Sequence, residues 1–324
     1  LKRGEIWREK LLVPSSGVSG NPITFGDYGS GNLPKITNTK IMNSLSQYGY
    51  DVYSEYVNQN ADFENWTSGI PTGWTHDVLG TSTVSQDSTV VYHGNFSVKL
   101  TKDGSNKMVI SKIPSLKGGM RYVVKFYARG LNGGEELGIS VRHSTGGVFY
   151  LSGELNTDGF YNNWDSTSFI QTKIYTLTDN WQEFEFKMEQ PPGINSSQIR
   201  FEVNTTSGVV YLDYARAYAS WTPHVSLQNT YGIHWIGQPA YNEILRNSSE
   251  RLTMLGDGQE NSLADKEFTT ISSGIIWYKD NVGNPEKSGT QLEVVNAPYT
   301  VHSNGKNHLI FKNLEVYGGT WGSN

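Results

Sequence analysis

The sequence predicts an all-β chain in two parts, a jelly-roll β-sandwich set inside a stack of short coils. Three observations carry this. Between Asp62 and Ala219, runs of alternating apolar and polar residues recur with turn signals between them and no convincing helix. In Asn307–Gly319, Leu309 and Phe311 alternate with Ile310, the register slips at Lys312-Asn313, and Leu314 and Val316 resume the alternation. A chain that points side chains into a narrow interior while turning a corner every few residues needs this pattern, and one such coil requires neighbours to bury its apolar face. The same texture lies on both sides of the sandwich.

In chain order, residues 1–61 carry short alternating runs (Ile23 and Phe25, then Ile36) separated by clusters of Gly, Pro, Ser and Asn. Ile41–Tyr56 could pass for a short helix, but Tyr48, Tyr50, Tyr53 and Tyr56 make a poor helical stripe, so it reads as the lead into the insertion. Residues 62–219 form the sandwich. In Gly118–Gly130, Tyr122, Val124 and Phe126 alternate with Val123, Lys125 and Tyr127, and strand-like runs recur at Trp181–Phe186 and Val209–Tyr218. Residues 220–324 return to coil texture through Ile233-His234-Trp235, Ile275–Tyr278, Leu292–Val294 and the Leu309 rung. A sandwich whose termini lie close together can enter a surface loop of a solenoid at small cost, because loop-closure penalties grow slowly with length.

Composition agrees. The chain has 324 residues, 36% apolar and 12% aromatic, with 35 Gly, which suits a folded, turn-rich protein of about two domains. The net charge of −5 is small, and no basic cluster interleaves with aromatics, which argues against nucleic acid or an anionic membrane as partner. The absence of Cys removes disulfides, thiolate chemistry and Cys-ligated zinc. No apolar run approaches the roughly 20 residues of a membrane span.

Two places offer themselves to a ligand. If Tyr122, Val124 and Phe126 point inward, then Lys125, Tyr127 and Arg129 point outward. With Ile139 and Val141 also inward, Arg142 joins them, which puts an aromatic ring and two guanidinium groups on one face. Rings offer an apolar platform to a ligand and Arg forks bond hydroxyl or carboxylate oxygens. An ordinary solvated sheet face would show the same alternation. The stretch Asp158–Asp165 packs Phe160, Tyr161 and Trp164 among turn formers, so at least one ring is expected at the rim, Trp164 first and Tyr161 second. Rings that pin the loop to the sandwich edge are the alternative. No catalytic constellation stands out: nothing places any pair among Asp257, Glu260, Asp265, Glu267 and Asp280 on one face, and none of the seven His has metal-ligand spacing.

Two resemblances add to this. Asn307–Gly319, with Leu1–Trp7 and Ser15–Gly31 in the opening coils, resembles right-handed parallel β-helix proteins of the pectate lyase-like kind. Asp62-Phe63-Glu64-Asn65-Trp66, Pro71–Thr75, His93–Leu100 and the closing Val209–Tyr218 run resemble a family 4/9-type carbohydrate-binding module. Together they imply an all-β fold in which a jelly-roll β-sandwich is inserted into a partial right-handed parallel β-helix. Trp66 and Trp74 are core residues in such modules. The second resemblance also implies a structural calcium, held by Glu64 and Asp213 through side chains with backbone oxygens of Asp62 and Phe96 nearby. This chain has His93 where the pattern often has an acid, and a paired or solvated Glu64 and Asp213 is the alternative. Calcium takes six to eight oxygens.

These resemblances lead to the expectation of polysaccharide or oligosaccharide binding by an inserted module. The whole is read as a fragment of a larger secreted or cell-surface, bacterial-type enzyme that degrades polysaccharide as a lyase or glycoside hydrolase. A fragment active in itself and a non-enzymatic glycan-binding adhesin or spike are the competing readings.

Overall fold

A computed structural model describes residues 1–42, 60–104, 108–112, 114, 116–144, 147–166, 172–234, 244–248, 250–271, 274–295 and 299–317. The chain divides into two compact units, Leu1–Val52 with Pro223–Asn324, and Tyr53–Thr222. Both are all-β.

In the second unit, twelve strands share one hydrogen-bonded sheet path. It runs Thr75–Val78, Met108–Lys112, Gln198–Val203, Glu136–His143, Phe149–Leu155, Tyr161–Asp165, Gln182–Glu189, Arg121–Gly130, Gly208–Ser220, Ser97–Lys102 and Thr83–Asp87, with Lys173–Thr176 also on Glu136–His143. The pairing is antiparallel except where Tyr161 meets Met188. Its two ends lie face to face: Phe126, from one half, meets Phe201, from the other, with ring centroids 5.0 Å apart at 72°. Alternation explains this core. Tyr122, Val124 and Phe126 are buried as expected, and Leu137, Ile139, Val141, Ile199, Phe201, Leu100 and Leu212 are buried with them. Each large apolar side chain taken from water contributes about 2 kcal/mol, which drives the two halves together.

One irregularity positions the site. Opposite Arg121–Gly130, the closing strand slips register between Lys125 and Tyr127, which face Arg216 and Asp213 respectively. Tyr214 absorbs the extra length with φ at +48°, unusual for a bulky residue. The bulge turns Asp213 toward residues 92–93.

In the first unit, Lys35–Thr37 runs parallel between Ile6–Trp7 and Glu315–Tyr317. Leu11–Leu12 is parallel to Val301–His302, and Ile23–Phe25 to Leu309–Phe311. Phe25 and Phe311 stack at 5.2 Å and 12°. The break expected at Lys312-Asn313 is a corner with Asn313 at φ +55°. The buried Glu293 carboxylate accepts from Thr39, Ser248 and Arg8 Nη2, the last at 3.0 Å, which ties the first strands to Leu292–Val295.

In residues 220–295 the structure departs from the expected parallel coils. Thr230–His234 is antiparallel to Ile275–Lys279, which is antiparallel to Glu267–Ile271. Leu292–Val295 is antiparallel to Ile244–Arg246 and to Thr39–Ile41. Period-two alternation reports which side chains face inward, and both pairing directions share it. Of the possible helix at Ile41–Tyr56, Thr39–Ile41 is strand and residues 43–59 lie outside the described residues.

Candidate functional site

The predicted calcium residues gather around one loop. Phe63, at φ +58°, is buried with its ring 4.8 Å from Trp74, and this turns Glu64 outward. Glu64 Oε1 accepts from the backbone N–H groups of Asn95 and Phe96 at 2.7 and 3.0 Å, and Oε2 accepts from Asn95 Nδ2 at 2.9 Å. Burial works against the charge on Glu64, but these donors outweigh it and hold its pKa below the ordinary value. Gly94 has φ +73°, and a Cβ there would collide with Glu64 Oε1, so only glycine fits between the two.

Asp213, fully buried, closes the other end of the loop. Its Oδ2 accepts from the N–H groups of Tyr92 and His93 at 2.9 and 3.0 Å, and its Oδ1 from that of Tyr214 at 2.7 Å. Burial pushes its carboxyl up to about 6 in spite of those three donors. The two carboxylates thus clamp residues 92–96 by backbone N–H groups. Phe96 enters by its N–H, and Asp62 lies two residues before Glu64. Among the described residues no group of three or more His, Asp or Glu is placed to hold a metal ion. With both acids turned to amide donors, the donor set does not fit a calcium cage.

The sugar-binding candidates do not gather on one face, contrary to the expectation from alternation. Tyr127 and Arg129 do point outward together, but Arg142 belongs to the opposite half of the sandwich. Glu136–His143 comes after Arg121–Gly130 in sequence and pairs with Gln198–Val203, and the short connection between them crosses the sandwich edge. Tyr127 is 9% exposed because Tyr92 lies on it at 3.6 Å and 15°. Arg129 Nε donates to Gly130 O at 3.1 Å, and its guanidinium stands 6.0 Å from the Tyr211 ring. Around them Lys125 and Lys187 pair with Glu185 at 3.6 and 2.9 Å, and Arg216 with Glu183 at 3.6 Å.

Asp158–Asp165 is a turn that leads into the strand Tyr161–Asp165. Phe160 is buried, Tyr161 stacks on Phe186 at 5.2 Å and 15°, and Trp164 Nε1 donates to Glu189 O at 3.3 Å while its ring leans on His143 at 5.1 Å. Tyr161 and Trp164 are half-buried, and burial raises the Tyr161 pKa. Trp74 is buried and Trp66 half-buried.

Around Arg142 lies a polar sheet face, a candidate groove, that sequence reasoning missed. Residues directly opposite in register share a face. Arg142 faces Gln198 and Tyr150; Ser140 faces Arg200, which faces Ser111, which faces Thr75; Gly138 faces Glu202, beyond which Val109 and Asp77 succeed it. Arg142 Nε donates to Gln198 Oε1 at 2.7 Å, Gln198 Nε2 donates to Ser111 Oγ at 2.8 Å, and Ser111 Oγ lies 2.9 Å from Thr75 Oγ1. This chain of side-chain hydrogen bonds crosses four strands. Arg200 and Ser140 form a buried floor, Arg142, Gln198, Tyr150 and Glu202 are half-buried, and Thr75 and Asp77 are exposed. Ser140 Oγ and Glu202 Oε2 are buried with no hydrogen-bond partner among the described residues. Where Arg142 stands, a cleft of about 110 Å³ opens between it, His143, Ser144, Ser196, Ser197 and Gln198. The only sequence signal for this surface is the outward alternation of Arg142; the partners on Gln198–Val203 and Met108–Lys112 come from distant segments.

Residues 56–208 match the family model described as a carbohydrate binding domain. Among curated proteins no relative matches. Solved structures that resemble the chain include the enzymatically active domain of tailspike protein 4 of bacteriophage CBA120 (17% identity, TM-score 0.37, 51% of this chain and 22% of that one). TmCBM61 in complex with β-1,4-galactotriose is 16% identical with a TM-score of 0.37 over 51% of this chain and 99% of that one. The CBM22-1 xylan-binding domain of Paenibacillus barcinonensis Xyn10C is 17% identical with a TM-score of 0.33 over 49% and 90%.

Proposed function

We propose that the sandwich binds polysaccharide or oligosaccharide in the groove over Glu136–His143, Gln198–Val203, Met108–Lys112 and Thr75–Val78. The observation that carries this is the hydrogen-bonded row Arg142–Gln198–Ser111–Thr75, which holds polar groups at set positions across an outer sheet face. A sugar presents hydroxyls on its rim, and a row already aligned by its own bonds loses little side-chain freedom when it accepts them. The buried, unpartnered Ser140 Oγ and Glu202 Oε2 support the same reading, because such groups call for a partner. The family match over residues 56–208 supports the ligand class.

The parallel pairs between residues 1–37 and 301–317 support the further proposal that they are coils of a right-handed β-helix. On that reading the chain belongs to a secreted polysaccharide-degrading protein, and binding keeps the polymer near its catalytic part. The adhesin reading keeps the binding and drops the catalysis.

The test is native gel electrophoresis of the full chain through a panel of polysaccharides, with reducing-end and unsaturated-uronate assays on the same polymers. Retardation by at least one polymer that is lost in Gln198→Ala and kept in Tyr92→Ala supports the groove. Loss in Tyr92→Ala with retention in Gln198→Ala would move the site to the opposite face, and product release would make the chain an enzyme.

A further inference from the structure

The cleft at the Arg142 end differs in charge from the rest of the groove. Arg142 Nε is held by Gln198 Oε1 at 2.7 Å, which orients the guanidinium, and its terminal amino groups have no hydrogen-bond or ion-pair partner among the described residues. None of the residues that line the cleft with it, His143, Ser144, Ser196, Ser197 and Gln198, is acidic. The acids on this face stand away from the cleft: Glu202 and Asp77 flank Val109, one register step beyond Arg200 and two beyond Arg142, and Asp165 faces Tyr150 on the far side of the strand next to Arg142. Glu202 and Asp77 stand beside Arg200, whose guanidinium burial and the neighbouring Arg142 hold below its ordinary pKa while these two acids act the other way. Arg142 is thus a half-buried, pre-aimed cation over a small polar cleft, beside Ser144 and Ser196, while the buried Ser197 hydroxyl donates to Gln190 Oε1 at 2.9 Å. A guanidinium fork matches a planar carboxylate by two parallel hydrogen bonds, and a neutral hydroxyl gains less from it.

We infer that the cleft takes a carboxylate, so that the glycan bound in the groove carries uronate residues, with Arg142 on the carboxylate and Gln198 fixing the Arg142 fork. This rests on the groove being the glycan site. The exposed hydroxyls of Ser144 and Ser196 complete the shell around the carboxylate oxygens.

The experiment is affinity electrophoresis and titration calorimetry of the full chain against polygalacturonate and alginate, each beside its carboxyl-reduced neutral form. Arg142→Gln, Arg142→Lys and Tyr92→Ala are run in parallel after circular dichroism has shown each to be folded. The expected result is binding of at least one uronate polymer about tenfold tighter than of its reduced form. Arg142→Gln erases that preference, Arg142→Lys keeps part of it because the charge remains without the fork, and Tyr92→Ala leaves it unchanged. Equal binding of native and reduced polymers, or an unchanged preference in Arg142→Gln, would overturn the inference while leaving the groove intact if Gln198→Ala still abolishes binding. Binding of no polymer in any form would remove both.

Discussion

The two outer faces of the sandwich arise from the same alternation and differ in how their polar groups are met. On the face of Arg121–Gly130, cations meet acids: Lys125 and Lys187 share Glu185, Arg216 reaches Glu183, Arg121 reaches Glu189, and Tyr92 covers Tyr127. On the face of Glu136–His143, side chains bond along a row, Ser140 Oγ and Glu202 Oε2 are left over, and Arg142 keeps its fork toward the cleft. These pairs occupy the charged groups that would otherwise meet a ligand. What separates the two faces is the hydrogen-bonded row with the cleft at its Arg142 end, whereas aromatic or charged content by itself is shared by both.

The largest effect is expected where the two halves meet. Phe126→Ala removes the ring that joins them at Phe201, and should cost about 3–5 kcal/mol in urea unfolding, with both faces lost in one transition. Two separate transitions would mean the faces do not share a core.

Asp213→Ala comes next. It leaves the N–H groups of residues 92, 93 and 214 without their acceptor, so a loss of roughly 1–3 kcal/mol is expected, with glycan affinity within about twofold because the groove lies on the other half. The pH dependence has a definite sign. Burial raises the folded carboxyl from 3.8 to about 6, so the folded state holds its proton more tightly. This contribution to stability is full below 3.8 and is lost as pH rises through about 6. Thermal unfolding measured across that range, from pH 3.8 to about 6, should show the decline, and Asp213→Asn should flatten it. Calcium is tested in the same scan: Tm of chelated protein should not move when calcium is added, and a rise abolished by Glu64→Gln would place an ion at the clamp after all.

Gln198→Ala probes the groove face alone, because it removes the middle of the row with little effect on the core. Affinity should fall at least about tenfold, a loss of about 1.4 kcal/mol or more read by calorimetry and enough to abolish retardation in the gel, while urea stability changes by less than about 1 kcal/mol. Tyr92→Ala is the smallest effect, with affinity unchanged within about twofold; a large loss of binding would show that the Tyr127 face is also used.

Much of the core is legible in the sequence. Tyr122, Val124 and Phe126 inward with Tyr127 and Arg129 outward is a consequence of the pleat, which sends successive side chains to opposite faces whatever the neighbours are. The corner at Asn313 is legible for a similar reason, since it breaks a local pattern. Glu64 and Asp213 could be named together only through a resemblance, and what they do, clamp the amides of residues 92–96, depends on the bulge at Tyr214, which no local rule announces.

Local order along the chain was thus enough to establish that the protein is all-β and which faces of its strands are apolar, because those properties are set by side chains a few positions apart. Folding in three dimensions was needed to decide that most strand pairs within residues 220–295 are antiparallel, with Thr253–Met254 parallel to Glu267–Phe268, that Arg142 and Arg129 stand on opposite halves, and that Arg142, Gln198, Ser111 and Thr75 meet in one row. Strand partners are chosen by long-range register between segments as far apart as Thr75 and Gln198, and alternation is the same for either direction of pairing and for either half of a sandwich.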